Sequence, residues 1–188
     1  QAILKYAYQL IKKDASLWAG YFYAAYGLYW HNSANIRNQK TYFDNLNEIT
    51  SNLELARNLA DNLTPIIQLE RDLIFNLCSV ANRQGKSDFT GSNIIQSFEL
   101  FSFAKKIDAT SEHLTQTLKK YAVRLTNWSI GRLEEESRDA FSTPSASYLE
   151  YIYYCWKNFD VNLGMKHFLK YSKLFINNFN VLFIMFCV

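Results

Sequence analysis

Along most of this 188-residue chain apolar side chains recur every three or four positions, and only six glycines and two prolines interrupt them. That spacing belongs to amphipathic helices. So few residues able to adopt φ > 0 leave little material for the tight turns that an all-β fold consumes. No stretch sustains the period-2 alternation of a half-buried strand. The expected fold class is all-α, built of stacked antiparallel helical hairpins, with an irregular helical bundle as the alternative arrangement. A chain of this length buries roughly 70% of the surface its unfolded form exposes, so it can hold a core without disulfides or metal.

The pattern divides readily. Residues 2–13 place Ile3, Tyr6, Ala7, Leu10 and Ile11 on one stripe, and Asp14 and Ser16 offer a stop and a new N-cap. Residues 17–30 are apolar almost all round and so central, and the polar residues 31–40 turn the chain. A third helix is expected over 41–61. Thr64 as cap and Pro65 as first helical residue restart a fourth over 65–83. Residues 84–91 form a loop, Ser92 caps a helix to 107, and 111–128 give the next. The charged stretch 132–139 continues as an exposed helix. The last hairpin is 147–158 with 161–177, followed by an apolar tail, 179–188. The whole of 1–188 reads as a single all-α domain, with 1–91 and 92–188 as candidate halves. A helix that starts uncapped behind Gln1 reads as part of a longer protein.

In the last hairpin the pattern becomes more specific. Tyr148, Tyr151, Ile152 and Cys155 share one face, residues 157–160 turn, and Gly164, Phe168 and Tyr171 face back. This resembles a tetratricopeptide repeat: Tyr148 stands where the large aromatic belongs, Gly164 where the small residue belongs, and Phe168 where the phenylalanine belongs. Ile152 replaces a usual glycine and Tyr171 a usual alanine. Ser97, Phe101 and residues 104–109 look like a second helix and exit turn of such a unit. Ala2, Tyr6, Leu10, Asp14 and Trp18 look like another exit and restart. The matched segments cover about half the chain. The middle, 41–91, has no clear repeat period.

The resemblance implies a concave face along the first helix of each hairpin. In the last unit that face carries Leu149, Tyr153, Trp156 and Lys157; in the first it carries Ala19, Tyr23, Tyr26 and Trp30. Exposed tyrosine and tryptophan bring large contact area at low entropy cost, so these are the candidate partner-binding residues. The competing reading is that the rings pack against the next helix. Lys166, Lys170 and Lys173 form a basic stripe that could hold an acidic peptide or a phosphate backbone, or merely face solvent. Glu134, Glu135 and Glu136 read as solvent-facing, with Arg132 and Arg138 as local partners.

Other classes find little support. A net charge of +3 is mild for a nucleic-acid binder. His31, His113 and His167 are scattered, no zinc, Walker or nucleophile-elbow motif occurs, and no catalytic residue, metal site or cofactor is expected. Cys78, Cys155 and Cys187 form no ligand cluster; a sparse set suggests thiols in a reducing, cytoplasmic compartment, with an oxidised Cys78–Cys155 pair left open. Residues 15–36 and 174–188 lack charge but are too polar or too short to span a bilayer. The expected function is a non-catalytic, helical-repeat module that binds a protein or peptide segment, a regulatory part of a larger protein. The alternatives are a ligand-sensing domain of a transcription regulator or signalling protein, with an interhelical pocket, and weak nucleic-acid association through the lysines.

Overall fold

A computed structural model describes residues 2–34, 39–86, 91–138, 144–157 and 160–172. Among them the chain is all-α: α1 (Ala2–Lys13), α2 (Trp18–Ala34), α3 (Gln39–Leu59), α4 (Thr64–Lys86), α5 (Gly91–Ile107), α6 (Glu112–Glu136), α7 (Ser147–Trp156) and α8 (Val161–Ser172). The expected tail 179–188, the end of the last helix beyond 172, and Lys173 and Cys187 lie outside the described residues, as does the Ser92 side chain.

The starts and stops differ from expectation in informative ways. Asp14, not Ser16, is the acceptor after α1: its Oδ1 takes the Ser16 N–H at 2.9 Å and the Ser16 hydroxyl at 2.6 Å. That pairing holds the Asp14 carboxyl below its ordinary range. Thr64 is the first residue of α4 rather than its cap, and Asn62 Oδ1 accepts the Thr64 N–H at 3.0 Å. The charged stretch after 131 continues as helix to Glu136, as expected. It is the last turn of α6, which Ser111 caps by accepting from the Leu114 N–H.

The chain divides into two compact units: Gln1–Cys78 with Lys106–Asp108, and Ser79–Lys105 with Ala109–Val188. The division falls inside α4 rather than at residue 91.

In the first unit α1 and α2 approach closely because two glycines remove the Cβ atoms between them. A Cβ on Gly20 would lie 2.8 Å from Ile11 Cγ1, and one on Gly27 would lie 2.9 Å from Leu4 Cδ2. The packed stripe of α1 is therefore Leu4, Ala7 and Ile11. Tyr6, assigned to that stripe from spacing, is 69% exposed. The Tyr8 hydroxyl donates to Glu48 and ties α1 to α3; burial, then the hydrogen bond to the carboxylate, pushes that phenol up to about 12. Ala24, Ala25 and Leu28 turn the other side of α2 inward with Leu46, Ile49 and Leu53 of α3. Buried Asn32 is satisfied there: its Nδ2 donates to the Tyr42 carbonyl at 3.2 Å, and its Oδ1 accepts from Asn45 at 3.4 Å. The Arg57 guanidinium pairs with Glu70, joining α3 to α4. Ile66, Leu69, Leu73 and Leu77 supply the buried side of α4 at helical spacing.

In the second unit Ser97 Oγ donates to the carbonyl of Ala81 at 2.9 Å, which satisfies a buried hydroxyl. Phe101 of α5 meets Tyr121 of α6 at 5.1 Å between ring centres. Leu114, Leu118, Ala122, Leu125 and Leu133 run down the buried side of α6. Each such leucine, removed from water, contributes roughly 1.5–3 kcal/mol. On them α7 and α8 close as a hairpin. Cβ added to Gly164 of α8 would lie 2.6 Å from Trp156 Cβ of α7, so the two backbones meet where only glycine fits.

Candidate functional site

The exposed sector of α2 carries a continuous aromatic row. Helical spacing brings Trp18, Phe22, Tyr26 and Trp30, four residues apart, into one row. Trp18 meets Phe22 edge to face at 5.9 Å, Phe22 stacks on Tyr26 at 6.1 Å, and Tyr26 meets Trp30 edge to face at 6.2 Å. Tyr23 joins at Phe22, at 5.3 Å, and Tyr29 joins at Trp30, at 5.7 Å. Ring pairs of this kind add about 0.5–1.5 kcal/mol beyond their burial, so the row is held in shape before anything binds.

The row stays accessible for a geometric reason. Gly20 and Gly27 turn one side of α2 to α1, while Ala25, Leu28 and Asn32 turn another to α3. Tyr23, Tyr26 and Trp30 occupy the sector left over. Tyr23 is 50% and Trp30 58% exposed, with Tyr26 half-buried between them. Ala19 lies in the same sector. Trp18 and Phe22 complete the row and were missed from sequence, although their four-residue spacing was a readable signal. At its edge Tyr29 turns inward, where burial raises its phenol and Asn76 of α4 hydrogen-bonds it.

The face expected on the last hairpin is different, and here the expectation needs correcting. Leu149 is wholly buried and Trp156 nearly so. The Trp156 indole N–H donates to Thr126 Oγ1 of α6 at 2.8 Å, and Tyr153 meets Phe168 at 6.5 Å. Tyr153 and Trp156 thus face the seam between α7 and its neighbours, with Gly164 of α8 directly on Trp156, and Leu149 is withdrawn from any open face. Lys157 is exposed, with its ammonium 4.9 Å from the Tyr154 ring centre.

In the basic stripe, Lys166 and Lys170 are exposed on α8 and Lys170 stands 4.8 Å from the Tyr171 ring centre. Between them His167 is held below its ordinary range, by partial burial first and then by the two ammonium groups.

The acidic run does more than face solvent. Arg132 pairs with Glu135 at 2.6 Å and Glu136 at 3.2 Å, as helical spacing allows. Glu136 also accepts the Tyr148 hydroxyl at 2.8 Å and the Ser145 N–H at 3.1 Å, and these bonds hold its carboxyl below the usual range. Glu134 accepts the Tyr171 hydroxyl at 3.0 Å. The end of α6 therefore grips α7 and α8 through two tyrosines.

Cys78 and Cys155 are both free thiols. Burial pushes Cys155 up to about 11, which leaves it protonated and unreactive near neutrality. Among the described residues no group of histidine, cysteine and carboxylate side chains is placed to hold a metal, and no helix is long and apolar enough to cross a membrane. Comparisons of the chain with protein-family models, with curated proteins and with solved structures find no match.

Proposed function

We propose that this chain is a non-catalytic helical-repeat module that binds a protein or peptide segment, a regulatory part of a larger protein, and that it binds through the α2 face of its first unit. The observation that carries the reading is the aromatic row from Trp18 to Trp30, with Tyr23 and Trp30 at least half exposed. Large rings fixed in place and left in water are the side chains that most often anchor an interface. α2 bears no Asp, Glu, Lys or Arg, so the matching segment presents apolar or aromatic side chains rather than charge. The tetratricopeptide-like reading belongs to the same proposal. It is supported by the close approach of Gly164 to Trp156 and by the burial of Ser97, Phe101, Ala104 and Phe168 at the positions the resemblance singles out.

The test begins with short peptides selected from a display library against the whole chain. Tyr23→Ala and Trp30→Ala should each weaken binding by ~1–3 kcal/mol while leaving the helical circular dichroism spectrum unchanged, and amide exchange should slow along α2 on binding. Peptides that bind both variants as well as the parent, or that protect other helices, would overturn the assignment.

A further inference from the structure

The second unit contains a hollow of about 280 Å³, lined by Ile95, Phe98 and Glu99 of α5, Leu125 of α6, and Glu150, Tyr151 and Tyr154 of α7. We propose that it is a binding site for a small organic ammonium ion, a function separate from the α2 face.

The wall chemistry makes the case. Three aromatic rings and two aliphatic side chains surround two carboxylates, and among the described residues no lysine or arginine lines the space. On α5 the residues fall at i, i+3 and i+4, and on α7 at i, i+1 and i+4, so each helix turns one carboxylate and its rings the same way. Phe98 and Tyr154 meet across the two helices at 5.9 Å, edge to face, which fixes the rings at the wall. Glu99 is half-buried, and among the described residues its carboxylate has no hydrogen bond or ion pair. Burial alone raises its carboxyl above the ordinary range, and burial first, then the Glu99 charge, raises the Tyr154 phenol. A desolvated carboxylate without a partner is costly, and a cation in the hollow would relieve that cost.

The same walls select the kind of cation. Calcium and magnesium demand six or more oxygens, which two carboxylates among rings and alkyl groups do not supply. A weakly hydrated ammonium on a hydrocarbon body uses everything present: its charge meets Glu99 and Glu150, its body meets Ile95 and Leu125, and ring faces attract it electrostatically. The volume lies just under the ~300–1,000 Å³ span of small-ligand pockets, so the occupant is small. Tyr154 already holds one cation, the Lys157 ammonium 4.9 Å from its centre, and Lys157 lies outside the lining.

The experiment titrates the whole chain with n-butylammonium chloride, 1-butanol and sodium butyrate by heteronuclear NMR, and repeats the titration with Nα-acetyl-lysine methylamide. Butylammonium should bind saturably, at least about tenfold more tightly than butanol, a factor worth 1.4 kcal/mol, with shifts confined to α5 and α7. Glu99→Gln should erase most of that preference, and Tyr154→Leu should weaken butylammonium about two- to fivefold. If Glu99→Gln fails to fold, Glu150→Gln and Tyr154→Leu carry the test together. A lysine derivative that binds more tightly than butylammonium identifies the occupant as a lysine side chain; the reverse order identifies a free amine. Absence of saturable binding, equal affinity for butanol, or a folded Glu99→Gln variant that binds butylammonium like the parent overturns the site.

Discussion

Replacing Gly164 with alanine adds one methyl group where the chain leaves no space for it. The new Cβ would stand 2.6 Å from Trp156 Cβ and 3.4 Å from its Cγ. Carbon atoms in contact settle near 3.5–4.0 Å, so about 1 Å must be found. The neighbour cannot swing aside, because a Cβ moves only with its backbone. Trp156 is also buried and held by its indole hydrogen bond to Thr126 at 2.8 Å. Overpacking of this kind costs ~1–3 kcal/mol. Against it stands the ~0.8–1.0 kcal/mol by which alanine is the better helix former. The net effect is a loss of about 0–2 kcal/mol.

Gly131 provides the control within the same unit, also inside a helix. Nothing lies within 4 Å of a Cβ placed there, so Gly131→Ala keeps the propensity gain, about 0.5–1 kcal/mol. The two variants share one chemical change and should move in opposite directions. The separation equals the overpacking term, ~1–3 kcal/mol, or roughly 2–12 °C in melting temperature for a chain of this size. Paired urea and thermal unfolding curves, followed by circular dichroism, measure it. A Gly164→Ala protein as stable as Gly131→Ala would refute the tight α7–α8 seam, and with it the displacement of Leu149 and Trp156 from any open groove.

Two further outcomes follow from the end of α6. Tyr171→Phe removes the hydroxyl that Glu134 accepts at 3.0 Å and should cost about 1 kcal/mol; an unchanged urea midpoint would mean that the contact holds nothing. His167 supplies a pH signature. Its folded pKa lies below the ordinary 6.5, so the unfolded chain takes up the proton first. The stability it contributes is therefore present above pH 6.5 and is lost as pH falls from there through the lowered value. Glu136, also lowered, acts in a separate window that opens below its ordinary 4.5. His167→Asn should flatten the first decline and leave the second; a parent protein equally stable on both sides of pH 6.5 would contradict the placement of His167 beside Lys166 and Lys170.

What the sequence made legible follows from the reach of each signal. Helical period is local, and it located every helix among the described residues because the apolar residues repeat within a turn. Gly164 stood at the small-residue position of the tetratricopeptide resemblance, and the structure puts it against Trp156. Phase was harder. From Tyr148 to Trp156 only Glu150 is not aromatic, aliphatic or thiol, so nothing in α7 marked which side meets α8, and Leu149 and Trp156 went to the wrong one. In α2 the tetratricopeptide resemblance singled out Tyr23, Tyr26 and Trp30; of these Tyr23 and Trp30 are at least half exposed, while the glycines at 20 and 27 face α1.

Long-range polar pairing was beyond local reading altogether. Glu134 and Glu136 sit in a run of charge that by itself looks solvated, and Tyr171 and Tyr148 reach them from 37 and 12 positions away. Glu99 looked equally ordinary until the fold set it among Phe98, Tyr151 and Tyr154. The two cases diverge in one respect that matters for function. At the end of α6 every carboxylate has received a donor from the chain, so the energy of those contacts is spent on holding α7 and α8. At Glu99 burial raises the carboxyl and no donor arrives among the described residues. A charge that folding desolvates without pairing is free to be paired by something else, and that asymmetry, rather than the size of either cluster, separates a structural clasp from a place where a ligand gains by binding.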